Sequence, residues 1–396
     1  MKIKNVKVIV TNPGRNYVTV KIETDEGIYG VGDATLNGRE LAVAKTIEEY
    51  LAPIIIDKNP ENIEHIWQYI YRGAYWRGGP VFMTALAGID MALWDIKGKK
   101  AGLPVYSLLG GKCRDKALCY THVSGQSFEE VKENALEKIE KGYKALRIQV
   151  SIPGLDGTYG TVEDDAKDLP FVEKWDSKPY LNTIPKLFEY LKDEIDDDIH
   201  LIHDSHERLT VPEAKKLASE LEEYDLMFLE DLLKPENKDG FKFIKNSSSI
   251  PLAMGELFNS RWDALSLIKN QLIDYIRCDV SHIGGITEAK KIAHLAETFH
   301  IKTAWHGPAD ISPIAHMANL HLDFSTPNFG IQELAEFPEE VAEVFTGRPE
   351  FEDGYLKISD KPGLGCDIDE EIAAEYSYEK AYLPVAERLD GSVHDW

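Results

Sequence analysis

Residues 199–206 (IHLIHDSH), 226–231 (LMFLED) and 251–256 (PLAMGE) are three short apolar runs that each close on an acid. The acids are Asp204, Glu230 and Glu256, and successive ones lie 26 residues apart both times. That interval fits one strand, one loop, one helix and one return loop. Parallel neighbouring strands bring equivalent ends side by side. Three carboxylates would then share one small volume, where their repulsion is costly unless a cation lies between them. All-oxygen ligation by a few carboxylates, with room for water and substrate, is the pattern of Mg²⁺. A single acid after a strand would carry no such weight, because Asp also caps helices.

The alternation continues outward from these segments. Strand patterns occupy 117–123 (ALCYTHV), 145–150 (ALRIQV), 199–205, 227–231, 251–256, 275–280 (YIRCDV), 302–307 (KTAWHG) and 329–333 (FGIQE). Helical patterns such as 128–142 (FEEVKENALEKIEKG) lie between most of them. Eight such repeats predict an α/β fold, a (β/α)₈ TIM-type barrel over 116–350. An open doubly wound sheet would need a Gly-rich phosphate turn after its first strand, and none is present. Residues 151–180 form an insert far longer than a usual βα loop, placed at the catalytic face of such a barrel.

Residues 1–115 read as an α+β capping domain, with a meander over 1–33 and helical patterns at 39–57, 61–72 and 80–101. The last of these reads as a long amphipathic helix stopped by Gly98, Gly102 and Pro104. The loop RGAYWRGGP (72–80) reads either as a packed helix connection or as a pocket-facing loop. Residues 351–396 are too apolar to float free and are expected to pack back on the capping domain, with Trp396 needing cover.

The 396 residues suit one large domain with a smaller one attached. Lys and Arg number 44 against 68 Asp and Glu, a net charge of −24 that argues against nucleic acid or an anionic membrane as partner. An anionic small molecule is not excluded, because charges beyond about 10 Å are screened and the local field decides. Four cysteines without CxxC spacing, no spanning apolar run and no signal-peptide core point to a reducing cytoplasm.

Catalytic groups of a barrel sit at the C-terminal ends of its strands. Read in order, those ends carry His122, then Arg147 with Gln149, then Asp204 with His206, Glu230, Glu256, Arg277 with Asp279, His306 and Glu333. The stretch 88–111, GIDMALWDIKGKKAGLPVYSLLGG, together with the three acids, resembles the enolase superfamily. Within it the chain most resembles the mannonate dehydratase group of sugar-acid dehydratases. That likeness rests on Asn37, His122, the RIQ of 147–149, Tyr159, the DSH of 204–206, Arg277, the WHGPAD of 305–310 and Glu333. Many superfamily relatives carry a KxK lysine base where this chain has Arg147 and Gln149.

The resemblance implies a small-molecule acid sugar as substrate, Mg²⁺ held by Asp204, Glu230 and Glu256, and loss of water to give a 2-keto-3-deoxy acid. Tyr159 would be the base, with Arg147 beside it. A tyrosine pKa of about 10 must fall by about three units, roughly 4 kcal/mol, to work near pH 7. His206 would protonate the leaving hydroxyl, and His306 would bind a hydroxyl or serve as a second acid/base. Asn37, His122, Asp310 and Glu333 would recognise hydroxyls, Trp396 would wall the pocket, and Arg277 would touch substrate or order the metal ligands from behind. Asp279 reads as structural. Pro308 fixes the backbone two residues after His306 and bears on which C2 epimer fits. The resemblance also implies a homo-oligomer built from dimers, up to an octamer. The implied substrate is D-mannonate and/or D-gluconate, with a dehydratase for another hexonate as the alternative of the same chemistry; a low- or no-turnover member with a starvation-sensing, regulatory role is the reading of a different class.

Overall fold

The structure, a computed structural model, describes residues 1–155 and 172–395. The chain opens with an antiparallel meander of β1 (Ile3–Thr11), β2 (Tyr17–Thr24) and β3 (Tyr29–Asp33). Helices α1 (Glu40–Thr46), α2 (Ala52–Ile55), α3 (Ile63–Gly73) and α4 (Pro80–Ala101) follow, with a short α5 (Val105–Leu109). β3 lies flush on α4: a Cβ on Gly32 would stand 2.0 Å from the Gly88 carbonyl oxygen, and one on Gly30 would stand 2.1 Å from that of Ala92. No side chain fits between them.

α4 is not the amphipathic helix that the sequence predicts. It is buried along most of its length, because the meander covers one side and the barrel the other. Gly98 does not stop it. The helix runs through Gly98, whose bare Cα lets Gly363 approach, and ends at Gly102 in a left-handed cap. Asp90 and Asp95 bind across this seam: Asp90 accepts from the Thr287 N–H at 2.9 Å, and Asp95 from the Val31 and Leu364 N–H groups at 3.0 and 2.8 Å.

The barrel strands are β4 (Ala117–Val123), β5 (Ala145–Ile148), β7 (His200–Asp204), β8 (Phe228–Glu230), β9 (Leu252–Met254), β10 (Tyr275–Ile276), β11 (Lys302–Thr303) and β12 (Gln332–Glu333); β6 (Val172–Lys174) belongs to the insert. They pair in parallel in that order, β6 aside, and β12 returns to β4. A parallel bridge from Thr303 to Phe329 closes the last gap. Tyr120, Ala145, Ile202, Phe228, Ala253, Tyr275, Ala304 and Ile331, one from each barrel segment, form a separate buried cluster. Large and small side chains mix there to fill the interior with apolar atoms, so polar groups collect at the strand ends. Around the sheet stand α6 (Phe128–Glu140), α7 (Ser177–Leu191), α8 (Val211–Leu221), α9 (Phe241–Lys245), α10 (Arg261–Lys269), α11 (Ile286–Thr298), α12 (Pro313–Ser325) and α13 (Glu339–Val344).

The C-terminal segment divides. β13 (Phe345–Thr346) pairs with β16 (Asp367–Ile368), while β14 (Glu350–Glu352) and β15 (Tyr355–Lys357) form a hairpin that lies antiparallel on β4. α14 (Glu370–Ala373) packs on the meander, where Lys7 and Lys21 meet Glu370 and the Thr11 hydroxyl donates to the Ala373 carbonyl. The tail does not follow. β17 (Val385–Glu387) pairs with β18 (Val393–His394) and, in parallel, with β6 of the insert. The expected return of all of 351–396 to the capping domain therefore holds only for its middle part. Backbone pairing with the insert draws residues 385–394 to the barrel. No described helix is long and apolar enough to cross a membrane.

Candidate active site

Strand ends place His122, Arg147, Asp204, Glu230 and Glu333 at one mouth of the barrel; Glu256, Arg277, Asp279 and His306 follow their strands within three residues. Two arginines organise them. Arg147 Nη1 lies 3.2 Å from Glu230, 3.4 Å from Asp204 and 3.7 Å from Glu333. Arg277 Nη2 lies 2.6 Å from Glu230 and 3.5 Å from Glu256, and its Nη1 meets Glu333 at 3.2 Å and the Tyr120 hydroxyl at 2.8 Å. Both guanidiniums are buried, so each needs these carboxylates to offset lost hydration. Arg147 in turn is compensated by three of them.

The register explains which acids meet. Asp204 is the direct partner of Glu230, but Glu230 pairs with Ala253, three positions before Glu256. Equal spacing along the chain therefore does not put the third acid level with the first two. Asp204, Glu230 and Asp231 bring carboxylate oxygens within 4.8 Å of one another, whereas Glu256 groups with His206 and Glu207. The expected trio is thus split between two adjoining groups, with Arg277 bridging Glu230 to Glu256.

The turns after β7 and β8 are unusual. His206, Glu207 and Asp231 all adopt left-handed backbone, with φ of 51°, 56° and 45°. Such geometry is disfavoured for residues with a side chain and persists where surrounding contacts impose it. Here the Glu207 N–H donates to the Asp231 carbonyl at 2.7 Å and the His206 N–H to Asp204 Oδ1 at 2.7 Å. The turns aim Glu207 and Asp231 inward, which strand periodicity does not anticipate. The adjacent acids in LMFLED and the HER of 206–208 were the only written signs of them.

Charge is unbalanced in this volume. Asp204, Glu207, Glu230, Asp231, Glu256, Asp279 and Glu333 are buried against the guanidiniums of Arg147, Arg208 and Arg277. Burial pushes the Glu230 carboxyl up to about 8 despite Arg277. Burial and neighbouring acids push Glu207 and Asp231 well above the carboxylate range. Burial also works against ionisation of Asp204 and Glu333, but Arg147 beside Asp204 and Arg277 beside Glu333 hold both below their ordinary values.

Asp204 Oδ2, Glu230 Oε2 and Asp231 Oδ2 are buried and accept no hydrogen bond. These convergent carboxylate oxygens accept no hydrogen bond, with Arg147 Nη1 3.4 Å from Asp204 Oδ2 as an ion pair, and the set fits a hard divalent cation with oxygen ligands.

The histidines differ in state. Burial and the Arg147 charge lower His122, which is therefore neutral. It donates Nε2–H to Glu333 at 2.5 Å, leaving Nδ1 to accept from Arg147 at 3.3 Å. His206 and His306 flank Glu256, at 3.6 and 3.4 Å. Burial lowers His206. Burial acts on His306 too, but Glu256 and Asp279 overcome it and raise His306 to about 10. Asp279, which the sequence reads as structural, accepts His306 Nδ1–H at 2.8 Å. Asn37 and Asp310 meet each other at 3.1 Å where the capping domain touches the barrel, with Arg15 3.6 Å from Asp310. The loop of 72–80 exposes Tyr75 and Trp76, at 77% and 87%, so neither ring is packed as a helix connection would have it. Tyr159 and Trp396 lie outside the described residues.

A closed barrel whose mouth gathers a cation-ready carboxylate group, two arginines and histidines in opposite protonation states defines an acid–base enzyme under an N-terminal cap. Residues 130–372 match the family described as enolase C-terminal domain-like, and residues 5–110 the mandelate racemase / muconate lactonizing enzyme N-terminal domain. The chain belongs to the enolase superfamily and, within it, to the family of dehydratases to which its full-length relatives belong. It is 50% identical to a D-mannonate dehydratase of Caulobacter vibrioides and 50% identical to a D-galactonate dehydratase family member of Marinomonas sp., each match covering 100% of both chains. The crystal structure of an enolase from Pantoea ananatis with bound D-gluconate and Mg superposes with a TM-score of 0.94, at 47% identity over 100% of both chains.

Proposed function

We propose that this dehydratase converts an aldonic acid, D-mannonate and/or D-gluconate, to 2-keto-3-deoxy-D-gluconate, by removing the proton α to the carboxylate and the 3-hydroxyl. The observation that carries the reading is the group of convergent, buried carboxylate oxygens at Asp204, Glu230 and Asp231 that accept no hydrogen bond, flanked by Arg147 and by the His206–Glu256–His306 row. Relatives named for D-mannonate and for D-galactonate match at the same identity, so the names alone leave the sugar open.

Mg²⁺ fits the site, with Asp204 and Glu230 as ligands and Glu256 or Asp231 completing the set. When bound, it supplies positive charge that stabilises the doubly negative carboxylate left by proton loss, a contribution of several kcal/mol. Tyr159 takes the C2 proton. His206, 3.6 Å from Glu256 and two residues after Asp204, is placed to protonate the leaving 3-hydroxyl as the general acid. His306 keeps its proton and donates to a substrate hydroxyl. His122, Glu333, Asn37 and Asp310 read the remaining hydroxyls, Arg277 holds Glu230 and Glu256 in place, and Trp396 closes the pocket. Pro308 sets the backbone between His306 and Asp310 and so bears on C2 configuration.

The deciding experiment incubates the enzyme and Mg²⁺ with a library of aldonic acids that includes D-mannonate, D-gluconate and D-galactonate, read by a 2-keto-acid assay. Turnover of mannonate or gluconate is expected. Turnover of galactonate alone would reassign the substrate, and silence across the library would favour the regulatory reading.

A further inference from the structure

One buried carboxylate at the junction of cap and barrel has no part in the chemistry above. Asp33 ends β3 and is fully buried. Its hydrogen-bond partners are neutral donors. Oδ1 accepts from the Thr35 hydroxyl at 2.8 Å and the Ser312 N–H at 3.1 Å; Oδ2 accepts from the Ser281 hydroxyl at 2.8 Å and the Thr35 N–H at 3.1 Å. Two donors come from its own turn and two from the barrel loops that follow β10 and β11.

Those two loops carry the histidine dyad. The Ser281 N–H donates to Asp279 Oδ1 at 2.7 Å, and Asp279 Oδ2 accepts from His306. A second route runs parallel. The Thr35 carbonyl accepts from His282 Nε2 at 3.2 Å, and His282 Nδ1 lies 3.7 Å from Asp279. Ser312, held by Oδ1, starts α12 two residues after Asp310. The cap turn 33–35 thus reaches Asp279 twice.

Burying a carboxylate among neutral donors is costly, and burial does raise the Asp33 pKa. A contact needed only for cohesion would be served as well by a neutral side chain. An asparagine offers one acceptor oxygen where the carboxylate offers two, and its amide would face Ser281 or Ser312 with hydrogens. Only the carboxylate accepts from all four donors at once.

We propose that Asp33 is a positioning residue for the reaction: from the capping domain, through Ser281 and Asp279, it fixes the orientation of His306 over the barrel mouth. The proposal rests on the barrel mouth being the active site. It makes docking of the cap a condition for an aligned histidine, so the cap does more than cover the pocket.

The test uses full-length Asp33→Asn and Ser281→Ala with saturating Mg²⁺, read by kcat, KM, Mg²⁺ affinity and a crystal structure of each variant. Ser281→Ala leaves the Thr35 and Ser312 bonds intact, so it serves if Asp33→Asn fails to fold. Asp33→Asn is expected to lower kcat by about 10- to 100-fold, the cost of a misplaced catalytic group. KM and Mg²⁺ affinity should stay within about twofold, the pattern of an interaction felt in the transition state alone. Ser281→Ala should act in the same direction by a smaller factor, and the double variant should be no slower than Asp33→Asn. In the variant structures the His306–Asp279 contact should pass beyond hydrogen-bond reach. Variants that fold, keep wild-type kcat and retain the contact would overturn the proposal, as would a loss confined to melting temperature. If the wild-type enzyme turned over no aldonate, the functional reading would fall, and the His306–Asp279 geometry would still decide this one.

Discussion

Asp90 shows how a single side chain can make stability depend on pH. It is buried in α4 and bonded to the N–H and hydroxyl of Thr287, and burial raises its carboxyl to about 7 from 3.8. Between those values the folded state holds a proton that the unfolded chain has released. Stability is therefore highest below about pH 4 on this account and falls as pH rises to 7, by at most roughly 4 kcal/mol. Asp90→Asn mimics the protonated form, so it should flatten that slope in denaturant titrations and equal or exceed the wild type at pH 8. Tyr159→Phe should abolish dehydration while Mg²⁺ binding by calorimetry stays unchanged; wild-type turnover would remove Tyr159 as the base. At this scale the sequence was legible wherever a strand pattern ran into an ionisable group, as at Asp204, Glu230 and His306. Glu207 and Asp231 were not, because their direction depends on left-handed turns that no periodicity encodes. The contact between Asp279 and His306 was not legible either, since the two lie 27 residues apart in sequence.

Among the elements, α4 and β3 form the joint on which the cap depends. With Gly32 in contact with the Gly88 carbonyl, Gly32→Ala must push strand and helix apart. We expect a loss of about 1–3 kcal/mol or more, the usual cost of overpacking, seen as a lower melting temperature. If β3 shifts, Asp33 shifts with it, so activity should fall further than stability alone explains. The span of α4 was readable from its Gly-rich end, and its burial on both sides is written in residues 83–93, which are buried all round the helix and not along one stripe. Glu256 was legible only in part. Its strand was correctly placed, yet its height at the mouth depends on a register that equal spacing does not determine.

For the molecule as a whole, the crowded acids at the barrel mouth make folding and cation binding one equilibrium. Mg²⁺ should raise the melting temperature, with stabilisation of about 2.7 kcal/mol at a hundred times its dissociation constant, and a chelator should reverse it. Glu230→Gln should abolish most of that shift; an unchanged shift would strike Glu230 from the ligand set. The barrel and its cap were legible because eight strand–helix repeats and a meander leave few other layouts. The tail was not, because its pairing with β6 is backbone hydrogen bonding that apolar content does not foretell.

β4 is held on one edge by β5 and on the other by β12 and β15. On the ribosome its second edge must wait for about two hundred residues to be made, roughly 10–40 s at ~5–20 residues per second. Through that interval a row of amide and carbonyl groups on a nascent apolar strand is open to any passing chain. The cell has to shield this one ribbon during synthesis, and yield on overexpression should be set more by that delay than by the stability of the finished enzyme.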